Sequence, residues 1–366
     1  MAIRVLVVDD SPFMRKSLQK MLEGASDIQV VGTARDGIDA LEKVEELDPD
    51  LVTLDIEMPR MDGLTALKKI MATSPRPVLM VSSLTQEGAQ ATLDALSFGA
   101  LDFIPKESSF ATMSILNIQQ ELQEKIRRLA STPRFKRPQL DRSPRPGAPP
   151  MPAPPAPPPA PRPIPRPGAL ELPASPMAEL IVLGSSTGGP KALQELLPAL
   201  PASLPVPLLI VQHMPSTFTK PFADRLNTLC QVTVKEAEHG EPIKAGTVYI
   251  ARGGIHMLYR QRGIQAVLEH SLEPTASIHR PSVDVLFQSV HEHCSKQVLA
   301  VILTGMGNDG AKGMELLKQK GAHTLAEAEE TCVVYGMPRA AAEKGCVDVV
   351  SPLPDIAGHL RRHFRI

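Results

Sequence analysis

Apolar runs alternate with amphipathic stretches along the first 130 residues. Between the runs, apolar residues recur three or four positions apart, as in Met14, Leu18 and Met21, which predicts helices. Ser11 followed by Pro12 predicts the N-cap and first turn of the first helix. Five strand–helix units in succession favour a parallel sheet with helices on both faces. The apolar runs, which we interpret as buried strands, end at Val8, Val31, Leu54, Val81 and Ile104.

The same alternation returns in the second half of the chain. Apolar runs at 180–183, 207–211 and 298–303 each end in a short polar loop, with the sequences GSSTGG, QHMP and TGMGNDG. This pattern predicts a second doubly wound parallel sheet. We therefore expect an α/β protein with two such domains, the first flavodoxin-like and the second a Rossmann-like three-layer α/β/α domain.

A proline-rich stretch separates the two halves. It includes RPGAPPMPAPPAPPPAPRPIPRPG, a composition that cannot bury a core and favours extended polyproline II. We predict domains at 1–130 and 177–366, joined by a linker at 131–176. The linker is interpreted as a spacer, and a docking segment for a proline-recognising partner is the alternative.

Composition narrows the class of protein. The formal net charge of the 366 residues is −1, so no global basic field would recruit nucleic acid. The amino terminus, MAIRVLVVDD, does not resemble a signal peptide, and no apolar run reaches the roughly 18 residues of a membrane helix. The four cysteines form no CxxC pair and are interpreted as reduced thiols. We expect a cytoplasmic protein that is not embedded in a membrane and does not bind nucleic acid.

Charged and hydroxyl residues follow the strands of the first domain. Carboxyl ends of parallel strands meet at one edge of a sheet, which brings Asp9, Asp10 and Asp55 together. Three converging carboxylates repel one another unless a cation neutralises them, and oxygen ligands suit Mg²⁺. Ser82 and Lys106 end two further strands and could bind the oxygens of a phosphoryl group.

The first domain resembles the response-regulator receiver family over nearly its whole length, including the loop MPRMDG after Asp55. The resemblance implies that Asp55 accepts the phosphoryl group from a histidine kinase of the chemotaxis type. Phe103 then occupies the position of the aromatic switch residue. The implied Mg²⁺ ligands are Asp9, Asp10, Asp55 and the backbone carbonyl of Glu57, and the implied phosphoryl contacts are Ser82 and Lys106.

Three loops of the second domain carry a serine, a histidine and an aspartate. GSSTG at 184–188 fits the G-x-S-x-G pattern of a serine on a strand-to-helix turn, which selects Ser186 over Ser185. His213 is the natural base to take the serine proton, and Asp309 would orient it and stabilise the imidazolium. The order Ser, His, Asp differs from the Ser, Asp, His order of α/β-hydrolases, so we expect another scaffold.

Other interpretations of the glycine-rich turn are weaker. A dinucleotide loop needs G-x-G-x-x-G, and GSSTGG lacks the second glycine. A P-loop needs Gly-Lys followed by Ser or Thr, whereas Gly189 precedes Pro190. A simple tight turn is the third alternative.

Several motifs of the second domain resemble the catalytic domain of the chemotaxis methylesterase family: GSSTGGP, VQHMPSTFTKPFADRLN, HRPSVDVLF, VILTGMGNDGAKGM and CVVYGMPRAA. The resemblance implies Ser186 as nucleophile, His213 as base and Asp309 as orienting acid. It further implies that the Met306 N–H helps to form the oxyanion hole, that Thr187 hydrogen-bonds near the histidine and that the motif HRPS, residues 279–282, lines the rim of the site.

The same resemblance implies an activity. The expected reaction is hydrolysis of glutamate γ-methyl esters on methyl-accepting chemoreceptors, with methanol released, and deamidation of receptor glutamines as a second activity. Phosphorylation would activate the enzyme, because the unphosphorylated receiver would cover the esterase cleft. Mg²⁺ would serve the receiver, and the esterase reaction would need no cofactor. The alternatives are a receptor-binding protein without hydrolytic activity and a DNA-binding output, which the balanced charge disfavours.

Overall fold

The computed structural model describes residues 2–106, 112–132, 135, 172 and 176–366. Most of the proline-rich linker, with its predicted polyproline II conformation, lies outside these residues. Two parallel sheets and one antiparallel hairpin form the framework. The expectation of two doubly wound α/β units is therefore confirmed.

The first sheet has five parallel strands in the order β2-β1-β3-β4-β5. The chain reverses direction across the sheet between β1 and β3, so a crevice opens outside the carboxyl ends of these strands. The strands are β1 (Ile3–Val8), β2 (Ile28–Ala34), β3 (Leu51–Asp55), β4 (Val78–Ser83) and β5 (Asp102–Lys106).

Helices cover both faces of this sheet. Ser11 is the N-cap of the first helix, where its side chain accepts the Met14 N–H, and Pro12 lies in the first turn, as the sequence predicted. Leu18 and Leu22 of that helix are buried. The helices are α1 (Pro12–Glu23), α2 (Gly37–Leu47), α3 (Gly63–Thr73), α4 (Gln86–Phe98) and α5 (Thr112–Ala130).

The second sheet has seven parallel strands in the order β14-β13-β12-β6-β7-β9-β8. Its strand order reverses between β6 and β12, which again opens a crevice at the carboxyl ends. The sheet strands are β6 (Leu180–Ser185), β7 (Leu208–Gln212), β8 (Thr233–Glu236), β9 (Thr247–Ile250), β12 (Val298–Ile302), β13 (His323–Glu327) and β14 (Val349–Ser351), while β10 (His256–Arg262) and β11 (Gln265–Ser271) pair separately.

Six further helices pack on the second sheet and its loops. Pro190 lies in the first turn of the helix that follows the glycine-rich loop, as predicted. The helices are α6 (Gly189–Leu196), α7 (Ser216–Leu229), α8 (Val283–His293), α9 (Ala311–Gln319), α10 (Met337–Glu343) and α11 (Leu353–Phe364). No helix within the described ranges is both long and apolar enough to span a bilayer.

The antiparallel hairpin β10–β11 was not foreseen from the sequence. Its register runs from His256 paired with Ser271 to Arg262 paired with Gln265, and Tyr259 and Leu268 bury one face against the core. The open end of the hairpin continues into a loop, residues 272–280, that returns to the start of α8. This loop contributes to the site described below.

The two domains are in contact. Helix α4 of the first domain packs against α7 and α6 of the second. Arg225 in α7 forms an ion pair with Asp94 and donates to the Ser97 hydroxyl at 2.9 Å, both residues lying in α4. The rings of Phe103 and Phe218 stack with their centroids 4.6 Å apart. The end of α4 and the start of β5, at the amino edge of the first sheet, thus adjoin the second domain.

Candidate functional sites

The predicted acidic cluster forms at the carboxyl edge of the first sheet. Ligand oxygens of Asp9, Asp10 and Asp55 lie within 4.8 Å of one another. Lys106 Nζ lies 2.9 Å from Asp9 Oδ2 and 2.7 Å from Asp55 Oδ2, so one ammonium bridges two buried carboxylates. The exposed Glu57 lines the same cavity.

The electrostatics of this cluster favour an added cation. Burial, with a further contribution from the charge of Asp9, raises the pKa of Asp55 to about 6. Burial alone would lower the pKa of Lys106, but its bonds to Asp55 and Asp9 raise it. A single ammonium thus leaves three carboxylates under-neutralised. A hard divalent cation held by oxygen ligands fits this donor set.

Ser82 and Ser83 have different surroundings. The Ser82 hydroxyl is buried, donates to the Gly88 carbonyl at 3.2 Å and accepts from Thr92 Oγ1 at 2.5 Å. Ser83 lines the cavity beside Asp55 and Lys106. A phosphoryl contact from Ser82 stays a prediction, because in this structure that hydroxyl bonds to Gly88 and Thr92 of α4.

Ser186 follows the last residue of β6 in a tightly built loop. Gly188 has φ of +80°, a conformation that disfavours residues with a side chain, and a Cβ there would lie 2.5 Å from Val333 Cβ. The neighbouring Ser185 is fully buried, and its hydroxyl donates to Gln212 Oε1 at 2.7 Å. Ser186 is partly exposed, so of the two serines it is the one that a substrate can reach.

Gln212 ties the serine loop to the histidine loop. Its amide nitrogen donates to the Ser186 carbonyl at 2.9 Å and to the His213 carbonyl at 3.0 Å. The backbone N–H of His213 donates in turn to the Ser185 carbonyl at 3.1 Å. Sequence reasoning missed this role, although Gln212 is the polar residue that ends an otherwise apolar strand.

His213 and Asp309 meet as predicted. His213 Nε2 lies 2.8 Å from Asp309 Oδ2, and both side chains are largely buried. The other ring nitrogen, Nδ1, is buried and has no hydrogen-bond partner among the described residues. With Nε2 held by the carboxylate, Nδ1 is the nitrogen that can act as a base.

The amino terminus of α8 holds the carboxylate of Asp309. Oδ1 accepts from the Ser282 hydroxyl at 2.9 Å and from the Asp284 N–H at 2.8 Å, and Oδ2 accepts from the Val283 N–H at 2.7 Å. Burial alone would raise the pKa of Asp309, but these hydrogen bonds and the one from His213 lower it to about 2. Asp309 is therefore ionised and fixed at neutral pH.

A second histidine covers the first. The His279 ring stacks on His213 with centroids 4.1 Å apart and an interplanar angle of 22°. Burial, together with the neighbouring His213, lowers the pKa of His279 to about 4, so it is a neutral ring near pH 7. The motif HRPS predicted a position for His279 at the rim of the site. The stacking depends on the hairpin β10–β11, which no local sequence pattern predicted.

The loop that carries Met306 passes beside Ser186. A Cβ added to Gly305 would lie 3.0 Å from Ser186 Cβ and closer still to Met337 Sδ, so a larger residue here would displace its neighbours. The Ser186 N–H donates to the Thr304 carbonyl at 3.0 Å and is not available to an oxyanion. This geometry supports the prediction for the Met306 N–H without testing it.

The buried carboxylate of Glu327 holds the start of the loop that carries Met306. Glu327 Oε2 accepts the Thr304 N–H at 2.8 Å, and the Thr304 hydroxyl donates to the Thr187 carbonyl at 2.9 Å. Burial raises the pKa of Glu327 to about 7. Glu327 ends strand β13 and was not singled out from the sequence.

Thr187 reaches the first domain instead of the histidine. Its hydroxyl donates to Asp102 Oδ2 at 2.9 Å, and Lys125 Nζ lies 2.8 Å from the same oxygen. The alternating charges from Glu121 to Arg128 predict a solvated face on the last receiver helix. That expectation is wrong for Lys125, which is buried against Asp102 and donates to the Phe103 carbonyl at 2.8 Å.

Comparison with known proteins matches each of the two domains to a family model. Residues 181–360 match the family model described as CheB methylesterase, and residues 5–116 match the response regulator receiver domain. The crystal structure of the Thermotoga maritima CheB methylesterase catalytic domain is 41% identical, covers 52% of this chain and 99% of that chain, and superposes with a TM-score of 0.49.

Curated relatives match along the full length. A protein-glutamate methylesterase/protein-glutamine glutaminase of Oleidesulfovibrio alaskensis is 48% identical, with 97% of each chain covered. One from Nitratidesulfovibrio vulgaris is 49% identical with the same coverage, and one from Halalkalibacterium halodurans is 46% identical with 99% of each chain covered. The chain therefore belongs to the protein-glutamate methylesterase/protein-glutamine glutaminase family, with an amino-terminal response-regulator receiver domain.

Proposed function

We propose that this protein hydrolyses γ-methyl esters of glutamate side chains on chemoreceptors, releasing methanol, and deamidates receptor glutamines at the same site. We further propose that phosphorylation of Asp55 by a chemotaxis-type histidine kinase raises this activity. The observation that carries the proposal is the buried His213–Asp309 pair, whose loop Gln212 joins to the loop of the partly exposed Ser186, with His213 Nδ1 unpartnered among the described residues.

The first half of the reaction acylates Ser186. Its hydroxyl oxygen attacks the ester carbonyl carbon while His213 Nδ1 takes the hydroxyl proton. The ionised Asp309 stabilises the imidazolium, and the Met306 N–H stabilises the negative carbonyl oxygen. The tetrahedral intermediate collapses when the bond to the methoxy oxygen breaks and His213 returns its proton to that oxygen. Methanol leaves, and a glutamyl ester of Ser186 remains.

The second half restores the enzyme. Water attacks the glutamyl ester while His213 takes one of its protons, and the proton then passes to the Ser186 oxygen as the acyl bond breaks. The product is the free glutamate carboxylate. A glutamine substrate follows the same steps with ammonia as the leaving group. These steps use side chains of this domain for every proton transfer.

The receiver site is suited to phosphorylation. Asp9, Asp10, Asp55 and the Glu57 carbonyl would hold Mg²⁺, which would neutralise the charge of the incoming phosphoryl group. Lys106 would contact the phosphoryl oxygens once Asp55 is modified, because its ammonium already touches that carboxylate at 2.7 Å. Phosphorylation adds negative charge beside β5, the strand whose first residues contact the second domain.

The domain contacts support regulation by occlusion. Asp102 binds the hydroxyl of Thr187, which adjoins the nucleophile, and Phe103 stacks on Phe218, five residues beyond the base. Both receiver residues lie on β5, the strand that ends at Lys106. A shift of β5 towards a phosphorylated Asp55 would therefore weaken the contacts that cover the site.

The two adjacent serines provide a sharp test of the chemistry. Ser186→Ala should lower methanol release from methylated receptor membranes by about a thousand-fold or more, since no acyl-enzyme can form. Ser185→Ala is the matched control, because its buried hydroxyl contacts Gln212 and not the substrate. Full release by the Ser186→Ala protein would contradict the role of Ser186, and no release by wild type would leave a receptor-binding role without hydrolysis.

A further inference from the structure

The loop at 272–280 exposes two large apolar side chains beside the esterase site. Ile278 is 92% exposed and Leu272 is 57% exposed. The loop follows β11 and leads into α8, whose first residues hold Asp309. Single exposed apolar residues are common on protein surfaces, so a functional role for these two must rest on where they lie and on how rigidly the loop holds them.

The loop is built by its own hydrogen bonds. The Thr275 N–H donates to Glu273 Oε2 at 3.0 Å, and the Arg280 guanidinium donates to the Thr275 carbonyl at 2.7 Å. The Ser277 hydroxyl donates to the His279 carbonyl at 2.9 Å. Ile278 is thus held in water by an ordered segment, and little conformational entropy would be lost when a partner covers it.

The loop is anchored at the catalytic base. Ile278 directly precedes His279, whose ring stacks on His213 at 4.1 Å. The Gly254 N–H fixes the end of the loop by donating to the Arg280 carbonyl at 2.9 Å. Ile278 therefore lies beside the site, and Leu272 follows Ser271, whose strand partner His256 accepts the N–H of Ser282 next to Asp309. Both apolar side chains are exposed while the receiver contacts the second domain.

We infer that Leu272 and Ile278 form the docking surface for the receptor segment that carries the ester. This inference rests on the proposed function and names how its substrate is bound. A glutamate side chain is short, so the backbone that bears it must lie close to the rim when its carbonyl carbon reaches Ser186. Apolar residues next to the esterified glutamate would then cover Leu272 and Ile278 and remove them from water.

The hairpin supplies a matched control. Ile264 is fully exposed in the turn between β10 and β11, at the end opposite to the 272–280 loop. Seven paired positions separate the two ends, which corresponds to about 20 Å at the usual strand rise. Ile264→Asp therefore introduces the same charge on the same hairpin, but away from the site.

The experiment compares two substrates of the full-length protein. One is methylated receptor membranes, and the other is N-acetylglutamate γ-methyl ester amide, which has no flanking residues. For Ile278→Asp and for Leu272→Asp, the ratio of kcat/KM on membranes to kcat/KM on the small ester should fall about ten-fold, as expected for the loss of one apolar contact. Ile264→Asp should keep the wild-type ratio. Ile278→Leu should also keep it, because the side chain remains apolar.

Two results would overturn the inference. In both loop variants, kcat/KM could stay at the wild-type value on both substrates. Alternatively, kcat/KM could fall by the same factor on both substrates, because the loop only supports His279. Either result leaves the proposed function intact, since wild type still hydrolyses both esters. Failure of wild type on both substrates would instead contradict the proposed function itself, and the docking surface with it.

Discussion

Asp55 in the receiver and Asp309 in the esterase domain are both buried carboxylates at the carboxyl edge of a parallel sheet, yet their pKa values move in opposite directions. Burial raises the pKa of Asp55 to about 6, whereas donated hydrogen bonds lower that of Asp309 to about 2. Asp309 accepts four hydrogen bonds, from one backbone N–H each of Val283 and Asp284, from the Ser282 hydroxyl and from the His213 ring.

Asp55 has fewer donors and a repelling neighbour. It accepts the Ile56 N–H at 2.7 Å and shares the Lys106 ammonium with Asp9. The carboxylate of Asp309 is thus satisfied by four donors, whereas a single ammonium faces the charges of Asp55 and Asp9 together. The difference teaches that burial alone does not set the state of a carboxylate: the donors around it decide whether it is a fixed orienting group or a group prepared to react.

The largest expected difference between Asp309 and Asp55 is in the rate of ester hydrolysis when each is replaced. Asp309→Asn should reduce kcat for ester hydrolysis by about 10⁴-fold, because an amide cannot stabilise the His213 imidazolium or hold its tautomer. Asp55→Asn should keep the basal rate and lose only the response to phosphodonor. Steady-state methanol release measures the basal rate of each variant. Comparable basal rates for the two variants would contradict the different roles assigned to Asp309 and Asp55.

The same two variants should shift stability in opposite directions. The folded-state pKa of Asp55 is raised, so its ionisation costs stability as pH rises from about 4 to about 6, and Asp55→Asn should gain up to about 3 kcal/mol at pH 7.5 without Mg²⁺. The gain should vanish near pH 4. The folded-state pKa of Asp309 is depressed, so its contribution is present above about pH 4 and is lost below it; Asp309→Asn should lose about 2 kcal/mol at neutral pH.

Denaturant unfolding across pH 4 to 8 measures both free energies. Added Mg²⁺ should reduce the advantage of the Asp55→Asn protein, because the cation stabilises only the wild-type carboxylates. A loss of stability in Asp55→Asn at pH 7.5 would show that Lys106 and the backbone already satisfy that carboxylate, and the comparison would fail.

A smaller effect is expected where the domains meet. Arg225→Ala removes the ion pair with Asp94 and the bond to Ser97, and should raise the unphosphorylated esterase rate about five-fold, equivalent to about 1 kcal/mol of interface energy. Lys220→Ala is the matched control on the same helix, because Lys220 pairs only with the neighbouring Asp224 among the described residues. Equal basal rates in the two variants would argue against occlusion through this contact.

Much of both sites could be predicted because the chemistry lies at strand ends. The parallel sheets bring together residues that are far apart in sequence, and the predicted His213–Asp309 pair and acidic cluster form as expected. Thr187 and Lys125 illustrate the limit. Thr187 binds Asp102 across the domain contact, and Lys125 binds the same carboxylate from α5 of the first domain; no local pattern of polarity reports partners that only the tertiary fold brings close.

His279 shows a second limit. Its motif indicated a place at the rim, but the ring reaches His213 only because an antiparallel hairpin redirects the chain between β9 and α8. Burial along the two seven-residue strands of the hairpin does not alternate regularly from one residue to the next, so the hairpin was not predicted. Likewise, the N-cap residue Ser282 is a common helix signal, and its second role as a donor to Asp309 depends on tertiary contact.

The central claim is that one site performs ester hydrolysis and the other controls it. The most direct measurement is methanol release from methylated receptor membranes, with and without acetyl phosphate and Mg²⁺, for wild type, Ser186→Ala and Asp55→Asn. The account predicts release that the phosphodonor stimulates in wild type, that is lost in Ser186→Ala and that stays at the basal rate in Asp55→Asn. Release by wild type that does not respond to the phosphodonor, or stimulation that persists in Asp55→Asn, would contradict it.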